Sequence, residues 1–311
     1  LREVDCLGMR ELAHLEGLHA VEEGAAGVGA VRVLVAHRPG SAAEVLERLA
    51  VIEGKPLDEH LLVAQSYLAS PAFVGREHEL ELIRERMLQV HGHSLLVVGP
   101  AGIGRTRLLD ACLLAAKLAG MTPLRVDGDD VERAHGVAGA LLSQLLRLAP
   151  DLTRELAGED LPCLAALAPE LLQASASPAV SAAHAALRRL LLAFADRMPL
   201  VIGVDDLTRL DEASAALLAL LAREPRKQGI TLIATSERTA LETADSAHRM
   251  FAASAERITL DSLDIRATRG VLASIFGHSP ELEGMVERLH AIVHGNPRDL
   301  LRVAQHLVDH A

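Results

Sequence analysis

One segment, residues 94–120, constrains the fold of this chain more than any other. Residues 95–98 (Leu-Leu-Val-Val) form a short apolar run of the kind found in a buried strand. Three glycines follow between positions 99 and 104, and apolar side chains then recur at helical spacing over 108–116. A buried strand, a glycine-rich turn and a helix in this order predict an α/β fold with a ligand-binding turn.

The spacing of the turn fits a phosphate-binding loop at every fixed position except one. The pattern G-x-x-x-x-G-K-[ST] runs from Gly99 to Thr106, but Arg105 stands where the lysine belongs. Arginine keeps the positive charge but is planar and bidentate, so nucleotide binding is predicted and hydrolysis is in doubt. The alternative is a strand–helix turn without a ligand. The candidate phosphate-binding residues are Gly99, Pro100, Ala101, Gly102, Ile103, Gly104, Arg105, Thr106 and Arg107.

A second motif lies about a hundred residues further on. Residues 199–204 are mostly apolar and end at the carboxylates of Asp205 and Asp206. At the carboxyl end of a parallel strand, such side chains reach the crevice where α/β folds bind ligands. We expect Asp205 and the Thr106 hydroxyl to hold Mg²⁺, and Asp206 to act as general base on water. Alone, the two aspartates would also fit a capped turn.

Other segments complete the predicted architecture. Further strands are expected at 122–128, 230–235, where Thr235 comes last, and 257–260, giving a five-stranded parallel sheet flanked by helices. Helices are expected at 136–148, 151–157, 164–174 and from 181 onward, and the tail from 264 is helical. We expect a mainly helical N-terminal extension over 1–70, a P-loop ATPase core over 71–262 and a helical lid over 263–311.

Composition narrows the class of protein. Half of the residues are hydrophobic and only 2% are aromatic, so the core is expected to be aliphatic and largely helical. The net charge of −11 argues against a protein whose main task is to coat nucleic acid. Three scattered cysteines indicate a reducing cytosol, and no apolar run is long enough to cross a membrane. The chain begins at Leu1 and is expected to be part of a longer protein.

Together these motifs resemble the signal-transduction P-loop ATPases with numerous domains, the STAND group, close to the origin-recognition-like AAA ATPases. Phe-Val-Gly-Arg-Glu at 73–77 resembles the opening motif, and Gly-Asn-Pro-Arg at 295–298 resembles the lid motif. The resemblance covers residues 73–310. It implies ATP and Mg²⁺ as cofactors, places Val74 and Gly75 near adenine, and places Pro297 and Arg298 at the nucleotide, with Arg298 as sensor 2. Thr235 is expected to serve as sensor 1, although Arg238 is an alternative.

A shorter resemblance concerns the N-terminal part. Residues 36–49 are similar to the end of a bacterial serine/threonine protein kinase domain, where an Arg-Pro pair precedes the last helix. The chain shows no His-Arg-Asp or Asp-Phe-Gly motif, so no kinase activity is expected from it. An unrelated helical extension is an equal alternative.

Three functions remain open at this point. The first is a weakly hydrolysing ATP-dependent switch in signal transduction, with ATP or ADP and a protein partner or flanking domain as ligands. The second is a nucleotide-binding scaffold without hydrolysis, and the third is a DNA-associated AAA loader or transcription regulator. The acidic net charge makes nucleic acid an unexpected partner, and a cytoplasmic protein without membrane contact is expected.

Overall fold

All strands of the central sheet run in the same direction. The computed structural model describes residues 72–89, 92–128, 136–168, 180–224, 229–277 and 280–309. The sheet has the order β2-β3-β4-β1-β5, and each neighbouring pair is parallel. Its strands are β1 (Ser94–Val98), β2 (Thr122–Asp127), β3 (Leu200–Asp205), β4 (Ile230–Ser236) and β5 (Glu256–Thr259). This confirms the predicted α/β P-loop NTPase fold with a five-stranded parallel sheet.

Helices connect the strands and continue after the last one. In the described ranges they are α1 (Glu77–Met87), α2 (Arg105–Leu118), α3 (Gly136–Leu148), α4 (Pro150–Ala157), α5 (Leu161–Leu164), α6 (Val180–Ala195), α7 (Glu212–Ala222), α8 (Arg238–Glu242), α9 (Ser246–Ser254), α10 (Ile265–Phe276), α11 (Pro280–Val293) and α12 (Pro297–Asp309). None of these helices is long and apolar enough to cross a membrane.

The three inner strands are buried along their whole length. Every residue of β1, β3 and β4 is buried, as expected for parallel strands that are covered by helices on both faces. One apolar cluster joins the sheet to α3, α6, α7 and α9, and the other joins it to α1 and α2. In the second cluster, burial raises the pKa of the Cys112 thiol to about 12, so this cysteine stays protonated and unreactive.

A glycine in the middle of β3 allows α2 to lie close to the sheet. A Cβ atom at Gly203 would come within 2.9 Å of Leu113 Cδ1 and 3.1 Å of Leu109 Cδ1. Both leucines belong to helix α2, which follows the glycine-rich turn. Any larger residue at this position would push α2, and the glycine-rich turn before it, away from the strand ends.

The three helices after β5 have an apolar cluster of their own. Residues such as Leu272, Val286 and Leu300, one from each of α10, α11 and α12, are fully buried in it. Thr268 and His290 tie α10 to α11, with 2.9 Å between Oγ1 and Nδ1. Pro297 is the first residue of α12 and Asn296 caps it, its Oδ1 accepting the Arg298 N–H at 3.0 Å, and both residue types suit these positions.

Some sequence-based expectations need correction. The helix expected at 164–174 begins earlier, at Leu161, and gives way to turns after Leu164. Pro162 in its first turn was the overlooked signal, because proline favours helix starts. The short helices α8 and α9 were not predicted at all. The mainly helical extension expected over 1–70, with the kinase-like stretch, lies outside the described residues, as do positions 169–174.

Candidate functional site

The glycine-rich turn lies between the end of β1 and the start of α2. Gly102 and Gly104 have positive φ angles of 79° and 101°, a region that residues with a Cβ atom rarely adopt. Gly104 is the cap residue of α2, so the turn meets the end of the helix where unpaired backbone N–H groups attract anions. The backbone geometry therefore fits a phosphate cradle.

Arg105, which replaces the lysine of the motif, directs its guanidinium back into the turn. Nη1 donates to the carbonyl oxygens of Gly99 at 2.5 Å and Pro100 at 2.9 Å, and Nη2 donates to Asp206 Oδ1 at 3.1 Å. Only 12% of the side chain is exposed. Arg105 thus connects the turn to the end of β3. The sequence predicts that its guanidinium binds phosphate oxygens, but here its donors bind protein oxygens.

Two aspartates and a threonine form a hydrogen-bonded chain where β3 and β4 end. Thr235 Oγ1 donates to Asp205 Oδ1 at 2.6 Å and accepts the backbone N–H of Asp206 at 2.9 Å. Asp205 and Thr235 are buried, whereas the Asp206 side chain is 36% exposed. Asp206 has a φ of 50°, and the bond from its N–H to Thr235 stabilises this uncommon conformation. Thr235 therefore holds the two carboxylates in place.

Arg125 on β2 also belongs to this site, although it lies in none of the motifs found in the sequence. Its Nη2 lies 3.3 Å from Asp205 Oδ2 and 3.7 Å from Asp127 Oδ2, and its Nη1 pairs with Asp110 on α2. Buried and half-buried residues alternate along β2, with Arg125 and Asp127 on the half-buried face. That alternation of charged and apolar residues was the signal in the sequence that could have identified Arg125.

The start of α12 contacts the glycine-rich turn directly. Asn296 Nδ2 donates to the Ala101 carbonyl at 3.0 Å, and the Arg298 N–H donates to the Gly102 carbonyl at 3.2 Å. A Cβ atom on Gly102 would lie 2.8 Å from Arg298 Cβ, so this approach requires glycine. The predicted lid motif therefore contacts the predicted phosphate-binding turn.

A pocket of about 460 Å³ opens between the turn, β3 and α12, a size within the usual range of about 300–1,000 Å³ for small-molecule sites. The predicted site residues that line it are Gly102, Ile103, Gly104, Arg105, Thr106, Arg107, Asp206, Pro297 and Arg298. Helix α12 adds Leu301, Arg302 and Gln305, which the sequence analysis did not select. Gly99, Pro100, Ala101, Asp205 and Thr235 are outside this lining. Gly99 and Pro100 contact it through Arg105, and Thr235 contacts it through the Asp206 N–H.

The opening motif before α1 lies at a second, much smaller pocket. Val74 lines this space of about 40 Å³ together with Ile103 from the turn and Leu263, Val271 and Leu301 from the lid segment. Gly75, with a φ of 76°, approaches α10 closely, since a Cβ atom there would lie 2.4 Å from that of Ala267. In this arrangement the region where the resemblance places adenine is nearly filled.

Arg76 joins the opening motif to the turn and to the segment before α10. Its Nη2 donates to the carbonyl oxygens of Ile103 at 3.2 Å and Asp261 at 2.6 Å, and Nη1 pairs with Glu79 at 3.2 Å. The residue is only 6% exposed. The sequence pointed to this motif but did not indicate that its arginine would bind three different segments.

We expect Arg76→Met to lower the free energy of unfolding by about 1–3 kcal/mol, because it removes a donor from the buried carbonyl of Ile103 and the partly buried carbonyl of Asp261. The matched control is Arg84→Met on α1. The partner of Arg84, Glu81, is 3.8 Å away, and the Arg84 side chain is 56% exposed. An exposed pair of this kind contributes less than about 1 kcal/mol. Urea unfolding measures both, and equal losses would contradict the role given to Arg76.

The residues present fit the phosphates of a nucleotide better than they fit Mg²⁺. The turn and the helix start supply N–H groups, and Arg298 and Arg302 line the same pocket. In contrast, both oxygens of Asp205 already have partners, Thr235 and Arg125. Among the described residues, no group of three or more His, Cys, Asp or Glu side chains could hold a metal ion. The assignment of Thr106 and Asp205 as metal ligands stays a prediction that this geometry does not favour.

Solved structures of known proteins are similar to this chain. No curated protein is a significant match to the chain. The structure of Drosophila ORC bound to DNA superposes with a TM-score of 0.57 at 15% identity, over 97% of this chain and 67% of that one. Aeropyrum pernix ORC1 in complex with DNA has a TM-score of 0.49 at 17% identity, over 78% of this chain and 61% of that one. Cdc6p from Pyrobaculum aerophilum has a TM-score of 0.49 at 16% identity, over 76% of this chain and 62% of that one.

The family described as the AAA ATPase domain matches residues 72–233, which is just over half of the chain. The matched range contains the glycine-rich turn, the two aspartates at the end of β3 and most of β4. The chain spans about three fifths of the length of Aeropyrum ORC1 and Pyrobaculum Cdc6p. The match over this range, together with the parallel sheet in the order given above, establishes that the chain belongs to the AAA ATPase domain family.

Proposed function

We propose that this chain binds ATP and reports the bound nucleotide through the position of its helical lid, as a STAND-type regulatory module in signal transduction. The observation that supports this most is the small pocket beside Val74, because Leu263, Val271, Pro297 and Leu301 on its wall belong to the lid segment. A space of about 40 Å³ is far below the size of a typical ligand site. An adenine ring at this place would therefore require the lid to move.

The proposed roles follow from the position of each group. The N–H groups of the turn and the first turn of α2 bind the phosphates, and Val74 and Gly75 lie beside the base. Arg298 reaches the terminal phosphate from the lid, since it lines the large pocket and its N–H contacts Gly102. A ligand that is held by both the turn and the lid favours one lid position over the others.

Hydrolysis in this proposal is slow. Asp206 faces the pocket and would accept the proton of the attacking water, giving ADP and phosphate. Its Oδ1 is paired with Arg105 at 3.1 Å, so this oxygen already accepts a hydrogen bond in the position where it would have to accept one from the attacking water. The same ion pair supports the second candidate, a scaffold that binds nucleotide without hydrolysing it. Phosphate release distinguishes the two.

A protein or a flanking domain of a longer chain is the proposed partner, and the cytoplasm is the proposed location. Two of the structurally similar proteins are described as bound to DNA. At identities of 15–17% this likeness concerns the fold alone, and a net charge of −11 disfavours a phosphate backbone as ligand. A DNA-associated role is therefore the weakest of the three.

We expect Arg298→Ala to weaken ATP binding by about tenfold and ADP binding by less than threefold. The physical reason is that one charged hydrogen bond to the terminal phosphate, about 1.5–3 kcal/mol, is absent in ADP. Isothermal titration calorimetry on both nucleotides measures the difference.

The matched control for this experiment is Arg269→Ala on α10, which removes an arginine from the same lid. Arg269 pairs with Glu283 at 3.1 Å and is not among the described residues that line either pocket. Its affinities should equal those of the wild type. If Arg298→Ala weakens ATP and ADP equally, the lid does not distinguish the two nucleotides and the switch proposal is wrong.

A further inference from the structure

We infer that a nucleoside triphosphate binds to this site as the free anion, with arginine side chains taking the place of the divalent cation. The inference rests on the proposed function, because it concerns the ligand of the same pocket. It departs from the Mg²⁺ site expected from the sequence, and the disagreement arises from the partners of the two aspartates.

The first argument is the charge of the large pocket. Among the described residues, its lining contains four arginines, Arg105, Arg107, Arg298 and Arg302, and a single carboxylate, that of Asp206. A free triphosphate is more negative than its magnesium complex by the full charge of the cation. Arg105 is already paired with Asp206, and Arg302 lies 3.8 Å from Asp299. The lining still contains more guanidinium groups than carboxylates, and this excess complements the free anion better, because a guanidinium can donate two hydrogen bonds to phosphate oxygens.

The second argument is that the carboxylate expected to hold the metal is already compensated. Asp205 Oδ1 accepts from Thr235 at 2.6 Å, and Oδ2 lies 3.3 Å from Arg125 Nη2. The Asp205 side chain is only 9% exposed, so a cation that approached it would have to displace one of these partners. A cation beside an undisplaced Arg125 would be repelled by a like charge in a poorly solvated place.

The third argument is that Arg125 is itself held from several sides. Its guanidinium pairs with Asp110 and lies 3.7 Å from Asp127, in addition to its contact with Asp205. The backbone of Arg125 is also held in place by Gln144 on α3. The Gln144 side chain accepts the Arg125 N–H at 2.9 Å and donates to the Arg125 carbonyl at 2.6 Å. Displacing the guanidinium would therefore leave three carboxylates without their shared cation.

The carboxylates of Asp205 and Asp206 each form an ion pair with a different arginine. Arg125 compensates the buried Asp205, and Arg105 compensates the more exposed Asp206 at 3.1 Å. Together they supply inside the protein the positive charge that a divalent cation would otherwise bring with the nucleotide. In the inferred complex, Arg125 and Arg105 are positioning residues that act through Asp205 and Asp206, whereas Arg107, Arg298 and Arg302 contact the phosphates.

The test compares ATP affinity in excess Mg²⁺ and in excess EDTA, at equal ionic strength, by calorimetry on the 311-residue chain. For the wild type we expect affinity in EDTA to exceed that in Mg²⁺ by at least about tenfold, because excess Mg²⁺ sequesters the free anion that the site binds. In Arg125→Gln, Asp205 loses its cation and becomes available to a metal, so the magnesium complex should bind as well and the two affinities should agree within about threefold.

The matched control is Arg189→Gln, which removes the same charge from a different arginine–aspartate pair. Arg189 binds Asp160 through two hydrogen bonds of 2.8 and 2.6 Å, and neither residue lines the pocket. This variant should keep the wild-type ratio of affinities. A wild type that binds ATP equally well or more tightly in Mg²⁺ overturns the inference, as does an unchanged ratio in Arg125→Gln. A wild type that binds no ATP in either buffer overturns the proposed function as well.

Discussion

Replacing Gly104 by valine should abolish measurable ATP binding, with a loss of affinity greater than about 100-fold. Gly104 has a φ of 101°, and a Cβ atom there would meet nothing within 4 Å. The loss would therefore arise from the backbone and not from a steric clash. A β-branched residue avoids this region of φ, so the turn must change conformation and its N–H groups no longer converge on the phosphates.

Gly120 offers a matched control for this variant. It follows α2, has a φ of 80°, and a Cβ atom there would also meet nothing within 4 Å. Gly120→Val thus imposes the same kind of backbone strain, about 1–2 kcal/mol, away from the pocket. Calorimetry with ATP should show wild-type affinity for Gly120→Val. If Gly104→Val also binds ATP as tightly as the wild type, the nucleotide does not bind at this turn.

Replacing Arg105 by lysine should raise the rate of ATP turnover by about tenfold, a part of the roughly 10²–10⁴-fold that a general base contributes. The guanidinium of Arg105 bonds to Gly99, Pro100 and Asp206 at the same time. A single ammonium group cannot reach three acceptors in this arrangement, so Asp206 becomes free to accept a proton from water. Affinity for ATP should stay near normal, because the turn keeps its N–H groups and a positive charge. Phosphate release at saturating ATP measures the effect.

The double variant Arg105→Lys/Asp206→Asn separates this explanation from a general loosening of the turn. If the gain arises from a freed carboxylate, it should disappear when that carboxylate is an amide. Turnover that falls or stays level in Arg105→Lys, with the fold intact by circular dichroism, would show that the turn is built around arginine. The idea that Arg105 slows hydrolysis would then be wrong.

The sheet was predictable because each strand carries its signal in its own residues. The runs at 95–98, 199–204 and 230–235 are apolar and β-branched, and the structure places strands over them. The cap residues Asp211, Asn296 and Pro297 were recognisable for the same reason, since Asp211 Oδ2 accepts the N–H of Ser214 three residues on. The short helix at Leu161–Leu164 was misplaced because its start depends on one proline and its end on packing.

The order of the strands was not available from the sequence in the same way. β1 pairs with β4 and β5, which come more than a hundred residues later. This order brings the ends of β1, β3 and β4 together, and only then do the turn and Asp206 face each other. Motif spacing indicated that they belong to one site, but the distance of 3.1 Å between Arg105 and Asp206 depends on the packed sheet.

The sequence by itself determined where the phosphate-binding turn lies, which residues can adopt its backbone angles and which carboxylates follow β3, because these properties depend on near neighbours in the chain. Only the tertiary structure decided the partners of the charged groups. Arg125 meets Asp205 across 80 residues of sequence, and Asn296 meets Ala101 across 195. Such contacts are selected by how helices and strands pack, since charged side chains with flexible stems take whichever partner the packed fold brings within reach.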